Sequence, residues 1–328
     1  MKFVKMHGCG NDYVYLDAVS EPAIEKMIGA PGWVGLVGKM SDRHKGIGSD
    51  GVIVVCRPSG SGKKSTGGRA ASGTQGSVAH VRMRMFNADG SESEMCGNGV
   101  RCVAKFAHDR LGVTGGVVRV QTGNGVLPIE VRVRKGKVVE ATVDMGEPRE
   151  GLKANHVLEK ALAWQGEGVH WGVEDGEVGG ECLCGVFVSM GNPHLVVFER
   201  FGGGAAMSMT PAEVGAVDLA RIGPRFERHA AFAKRMNVHI AGVPGGGKKK
   251  GLAKRIVMRT WERGSGITQA CGTGACAVAV AGVLSGRSAR EVDIDLPGGR
   301  LRIVWDKKSN HVFMTGEAVD VCEGEWLG

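Results

Sequence analysis

Residues 95–102 read MCGNGVRC, and residues 270–277 read ACGTGACA. Each stretch sets a cysteine against a short run of glycines at the point where a helical pattern begins. Aligned on Cys96 and Cys271, the flanks agree as well. MRMFN (83–87) and MRTWE (258–262) both start 13 residues before their cysteine, while Gly125 and Gly299 fall 29 and 28 residues after it. Further upstream, MHGCGNDYVYLD (6–17) resembles SMGNPHLVVFE (189–199), with Asn11 and Asn192 in corresponding places. Agreement sustained along both halves marks two copies of one folding unit.

Within each copy, runs such as VRMRMF and LRIVW alternate as half-buried strands do, with Gly and Pro turns between them. After Cys96, the residues Val100, Val103, Ala104, Ala107 and Leu111 recur at helical spacing and predict an amphipathic helix. Its counterpart, GACAVAVAGVLSG, is small and apolar all round and is closed by Gly286, which predicts a fully buried helix. The expected class is α+β: two pseudo-symmetric domains, each a sheet around a central helix with its cysteine at the helix N-terminus. The first half is expected over 1–146 and the second over 147–317, with a C-terminal strand, 318–328, returning to the first.

The placement of the cysteines points to chemistry. A helix N-terminus presents unpaired N–H groups and a partial positive charge, so a lowered thiol pKa is expected there. Glycines let backbone amides come close to an anion such as a carboxylate. Two related domains facing across a cleft would bring two such thiols to opposite faces of one bound molecule. That geometry suits taking a proton from one face of a carbon and returning another to the opposite face. A single CGxG is as readily a tight turn before a packed helix; two copies in matching positions favour the functional reading. Cys102 and Cys276, inside the helices, read as core thiols.

Composition narrows the alternatives. The formal charge of +8 is concentrated in 57–80, which carries Arg57, Lys63, Lys64 and Arg69 and no acid, and in PGGGKKKG at 244–251; without these seven residues it falls to +1. Both stretches are Gly-rich and apolar-poor and read as surface insertions, so a nucleic-acid partner is not expected. The longest apolar run, Ala275–Leu284, is half the roughly 20 residues of a membrane-spanning helix, and no membrane partner is expected. The N-terminus alternates like a strand and lacks a signal peptide's apolar core. Nine cysteines form an odd set without the spacing of a disulfide scaffold, and only Cys182 and Cys184 are close. Reduced thiols in a cytoplasmic protein without a metal are the expectation.

With MHGCGNDYVYLD, IGSDGV, FNADGSESEMCGNGVRC, SMGNPH, WERGSGITQACGTGACA and LPGG in place, the chain resembles the diaminopimelate epimerase family from end to end. The resemblance implies the diaminopimelate epimerase-like fold, with a β-barrel-like sheet around each helix. It also implies a cofactor-independent enzyme of lysine biosynthesis, commonly a homodimer, that interconverts L,L- and meso-2,6-diaminopimelate. Carried over residue by residue, Cys96 and Cys271 match the two catalytic bases, and His194 and Glu262 match side chains near the thiols. Gly97, Asn98, Gly272 and Thr273 match the positions that hold the reacting carboxylate. Asn11, Asn87, Asn192, Asn237, Glu262 and Arg263 match the remaining substrate contacts. This chain departs at Leu195, where many members have Cys, and at Gly51, where some have Gln; HAAFAKRMN also lacks a proline often found before the Asn237 position. Proline, hydroxyproline and histidine racemases share paired cysteines and stand as alternatives, but Asn87, Asn237 and Arg263 fit a distal carboxylate that proline lacks. A non-catalytic, nucleic-acid-binding use of the scaffold is disfavoured by the two intact cysteines.

Overall fold

The computed structural model describes residues 1–60, 78–93, 97–150, 164–165, 168–171, 182–202, 205–229, 232–244 and 251–328. Cys96, most of the basic insert (61–77) and the lysine-rich stretch 245–250 lie outside these residues. The chain divides into two compact units, Met1–Asp144 with Thr315–Gly328, and Met145–Met314. Among the described residues no helix is long and apolar enough to cross a membrane.

In the first unit, Lys2–Gly8 and Asn11–Asp17 form an antiparallel hairpin, and Asn11–Asp17 runs parallel to Gly51–Cys56. Gly51–Cys56 pairs antiparallel with Val81–Asn87, which in turn runs parallel to Val117–Thr122. The helix Gly97–Leu111 occupies the crossover between the last two strands. Two further antiparallel pairings carry the chain through Gly125–Arg134 to Lys137–Asp144. The C-terminal strand Val319–Glu325 closes back on Lys2–Gly8.

The second unit repeats this succession. Cys182–Ser189 and Pro193–Gly202 form the hairpin, and Pro193–Gly202 runs parallel to Asn237–Gly242. Ala253–Glu262 pairs antiparallel with Asn237–Gly242 and parallel with Ser288–Leu296, with the helix Gly272–Leu284 in the crossover. The duplication legible around the two cysteines is thus a duplication of strand pairing.

Burial follows from that pairing. Gly51–Cys56 and Asn237–Gly242 are buried at all six positions, because each has one face on its central helix and the other on small outer helices. In the first unit, Val52, Val54 and Cys56 face Trp33, Val37 and Met40 of the helix Trp33–Ser41. On the opposite face, the Tyr15 hydroxyl donates to the Gly99 carbonyl, 3.2 Å away, at the start of the central helix. In the second unit, Val238 and Ile240 pack with Leu219, Ile222 and Phe226 of the helix Leu219–Glu227. The alternate position, His239, therefore points toward the central helix.

Both central helices are buried through most of their length. Gly97–Leu111, whose spacing predicts an amphipathic helix, is instead buried without a break from Asn98 to Ala107, Arg101 and Lys105 included, because the unit wraps its polar side as well. Gly272–Leu284 is buried from Gly274 to Gly282, as its sequence predicts. The latter ends at Gly286, whose φ of +67° closes the C-terminus. In the first helix Arg101 is fully buried. Its guanidinium donates to the Gly97 carbonyl (3.2 Å) and the Glu317 carbonyl (3.3 Å) and lies 3.8 Å from Cys9 Sγ. Arg101→Met fills most of the volume but leaves those carbonyls without their donor. It is expected to lower unfolding stability by about 2–4 kcal/mol in urea titration.

Candidate active site

Cys271 is the N-cap of the helix Gly272–Leu284, with extended backbone (φ −123°, ψ 107°) and 4% exposure. The Gly274 N–H and the Thr273 hydroxyl, 3.7 Å from Sγ, favour a negatively charged sulfur, whereas the Glu262 carboxylate disfavours it. Burial is the largest influence, and together with Glu262 it holds the Cys271 thiol well above its ordinary range. The expectation of a lowered pKa at this helix end is thereby corrected for Cys271. Removal from water outweighs the helix-end donors, and Cys271 rests as a thiol.

Glu262 ends the strand Ala253–Glu262 and accepts a 2.5 Å hydrogen bond from the Thr268 hydroxyl. His194, near the start of its strand, is fully buried. Its Nε2 lies 2.9 Å from Asn192 Oδ1 and its Nδ1 lies 2.8 Å from His239 Nε2. Asn192 Nδ2 donates to Thr273 Oγ1 at 3.4 Å, so His194 reaches the cysteine turn through Asn192 and Thr273. Burial, then the neighbouring His239 and Arg263, hold His194 well below its ordinary pKa, and burial pushes His239 down to about 3. Both rings are neutral.

The remaining predicted residues of this unit gather nearby. Asn237, 3% exposed, accepts from the Arg263 backbone N–H (2.9 Å) and donates to the Pro193 carbonyl (2.9 Å). It thereby ties the Asn192 turn to the Glu262–Arg263 corner. Arg263 is exposed, and its Nη1 donates to the Lys234 carbonyl at 2.8 Å. Gly272 opens the helix beside Cys271.

In the first unit, Gly97 opens the other central helix. Asn98 is 3% exposed, and its Oδ1 has no hydrogen-bond partner among the described residues. Asn11 donates to Asp50 Oδ2 (2.7 Å), and Asn87 donates to the Ser91 hydroxyl (3.0 Å). Gly51 has a packing reason to lack a side chain, since a Cβ there would stand 2.1 Å from the Phe86 carbonyl oxygen. Cys96, the expected partner of Cys271, lies outside the described residues.

Two residues escaped sequence reasoning, His239 and Thr260. They face each other across an antiparallel pair, with Thr260 Oγ1 2.8 Å from His239 Nδ1. The one sequence signal was a histidine inside the otherwise apolar run VHIAG (238–242).

Comparison with known proteins converges on one family. The model described as "Diaminopimelate epimerase" matches residues 3–150 and 186–321. A diaminopimelate epimerase of Desulfovibrio desulfuricans is 44% identical over 326 residues, covering 99% of this chain and 98% of its own. One from Methanococcus maripaludis is 40% identical over 327 residues and covers 99% of each chain. Among solved structures, a phenazine biosynthesis protein of the PhzF family from Bacillus anthracis is similar with a TM-score of 0.61 at 15% identity, covering 100% of this chain and 99% of its own. A hydroxyproline epimerase from Agrobacterium vitis is similar with a TM-score of 0.56 at 12% identity, covering 99% and 90%. At such identities these two establish the α+β epimerase-like fold and nothing narrower. The family model and the near-full-length identities go further: this chain belongs to the diaminopimelate epimerase family.

Proposed function

We propose that this chain is a cofactor-independent enzyme that interconverts L,L- and meso-2,6-diaminopimelate in lysine biosynthesis, working in the cytoplasm as a homodimer. Cys96 and Cys271 act on opposite faces of one α-carbon. One sulfur, as thiolate, takes the α-proton while the C–H electron pair passes into the adjacent carboxylate. The other, as thiol, delivers its proton to the opposite face and is left as thiolate. With its resting form the thiol, Cys271 is the donor toward whichever stereoisomer presents its α-proton to Cys96. In reverse the roles exchange.

The negative charge that develops on the carboxylate is met by backbone N–H groups at the two helix starts, Gly97–Asn98 and Gly272–Thr273, already oriented before reaction. Asn11, Asn87, Asn192, Asn237 and Arg263 hold the rest of the substrate. Arg263 grips the distal carboxylate through the guanidinium donors not used on Lys234. Glu262 and His194 tune the Cys271 sulfur.

The observation that carries this reading is Cys271 itself, a thiol at a helix start with the Gly274 N–H, the Thr273 hydroxyl and the Glu262 carboxylate around its sulfur. The near-full-length identity to proteins named diaminopimelate epimerase supports the substrate. A chiral-chromatography panel tests it: L,L-diaminopimelate, L-proline, trans-4-hydroxy-L-proline and L-histidine are incubated separately with purified chain. Only the first is expected to yield its epimer. Turnover of proline or histidine in preference to diaminopimelate would assign the chain to another substrate.

A further inference from the structure

The side chains Thr260, His239, His194, Asn192, Thr273 and Cys271 follow one another at hydrogen-bonding distances, all within the second unit. The proton positions along this row are determined by its chemistry. Asn192 Nδ2 donates to Thr273, so Oδ1 faces His194, and a carboxamide oxygen only accepts. His194 Nε2 must therefore carry hydrogen. A neutral ring has a single N–H, which leaves His194 Nδ1 bare and requires the hydrogen between the rings to sit on His239 Nε2. His239 Nδ1 is then bare in turn, and the Thr260 hydroxyl supplies its donor. At the far end Thr273 Oγ1 has accepted from Asn192, which frees its own hydrogen for the Cys271 sulfur.

We propose that Thr260 and His239 are positioning residues that lock His194 as its Nε2–H tautomer and so align an unbroken row of donors on the Cys271 sulfur. The inference rests on the reading of Cys271 as a proton-transferring thiol and deepens it. When Cys271 gives up its proton, a negative sulfur is left at a buried position beside the Glu262 carboxylate, with Arg263 the cation acting on His194. A row of donors that all point one way polarises link by link and stabilises that charge. Reversing one link would turn the Thr273 hydroxyl away from the sulfur.

The first unit supplies an internal control. Met85 stands 11 residues before Cys96, as Thr260 stands 11 before Cys271, and Met85 faces Ile53 across the same antiparallel pair that joins Thr260 to His239. The fold accepts a buried apolar pair there. A polar pair in the second unit is therefore not a requirement of the sheet.

The test uses the full chain labelled with 15N-histidine. Imidazole NMR is expected to show both fully buried histidines with Nε2 protonated and Nδ1 bare, unchanged between about pH 5.5 and 9. An Nδ1–H tautomer at either ring would overturn the proposal. Thr260→Val is expected to shift the His239 nitrogens toward a tautomer mixture. It should also lower kcat by roughly threefold to tenfold with KM within about twofold, and move the pH midpoint for iodoacetamide alkylation of Cys271 upward. Thr260→Ser should restore all three. The double variant His239→Ile with Thr260→Met copies the first unit's pair and should fold with a kcat loss of at least about tenfold. Wild-type kcat and alkylation in folded Thr260→Val or in the double variant would overturn the assignment. Should Thr260→Val fail to fold, the wild-type tautomers and the double variant decide. Tautomers and alkylation as expected, without diaminopimelate turnover, would support the donor row and remove the substrate assignment instead.

Discussion

Cys271→Ala is expected to lose diaminopimelate epimerisation by roughly 10²–10⁴-fold in both directions, the range over which a positioned acid–base group contributes. The fold should survive. The change removes one sulfur from a position where its polar neighbours are Thr273, Gly274 and Glu262, and the helix keeps its N-terminal turn through the bond from the Ala275 N–H to the residue 271 carbonyl. Thermal unfolding should move by only a few degrees, in line with about 1 kcal/mol for a small buried truncation. Cys96→Ala is expected to match it in activity. The pair is informative because a two-base reaction needs both thiols: a folded variant of either kind with substantial epimerase activity would remove that cysteine from the chemistry.

Gly274→Ala is expected to be nearly as damaging from a position that carries no functional group. A Cβ on Gly274 would stand 2.4 Å from His239 Cε1, 2.9 Å from His239 Nε2 and 3.0 Å from Cys271 Sγ. The buried ring cannot withdraw without breaking its bonds to His194 and Thr260, so the helix start must move and carry Cys271 with it. A displacement approaching 1 Å at a reacting group costs on the order of 10²-fold in rate, and the overpacking costs about 1–3 kcal/mol. Gly282→Ala serves as control in the same helix. Its Cβ would meet Ser288 Oγ at 2.4 Å, eight residues along the chain from Gly274. That variant should lose comparable stability in denaturant titration and keep kcat within a few-fold where folded. Equal kcat losses in the two variants would show that helix packing in general, and not the His239–Cys271 contact, governs turnover.

Much of this is legible in the sequence, for identifiable reasons. The two glycine-rich motifs announce the helices that open at Gly97 and Gly272, because a helix start is a local event written in glycine and capping chemistry. The all-round apolar pattern of Gly272–Leu284 likewise reports its burial, whereas the burial of Gly97–Leu111 through Arg101 and Lys105 runs against its amphipathic pattern and is set by the packing around it. What escaped depended on register between distant strands. His239 and Thr260 are 21 residues apart, and only the antiparallel pairing sets one against the other. The direction of the Cys271 pKa escaped for a related reason. Helix-end donors can be read from sequence, whereas the burial that outweighs them is a property of the packed unit. Asn237 shows a third limit: its side chain clasps the Pro193 carbonyl and the Arg263 N–H, a positioning duty that a substrate-contact pattern does not reveal.

The central claim is that two sulfurs divide the proton transfer, and isotope incorporation at early times tests it most directly. The enzyme is equilibrated in deuterium oxide so that the resting thiol carries deuterium, L,L-diaminopimelate is added, and substrate and product are separated after a few per cent conversion. The account predicts meso product carrying one deuterium at the inverted α-carbon, delivered by the second thiol, while the recovered L,L substrate still carries protium. Unlabelled meso product, or L,L substrate labelled as fast as product forms, would mean that a single base both takes and returns the proton, and would contradict the account.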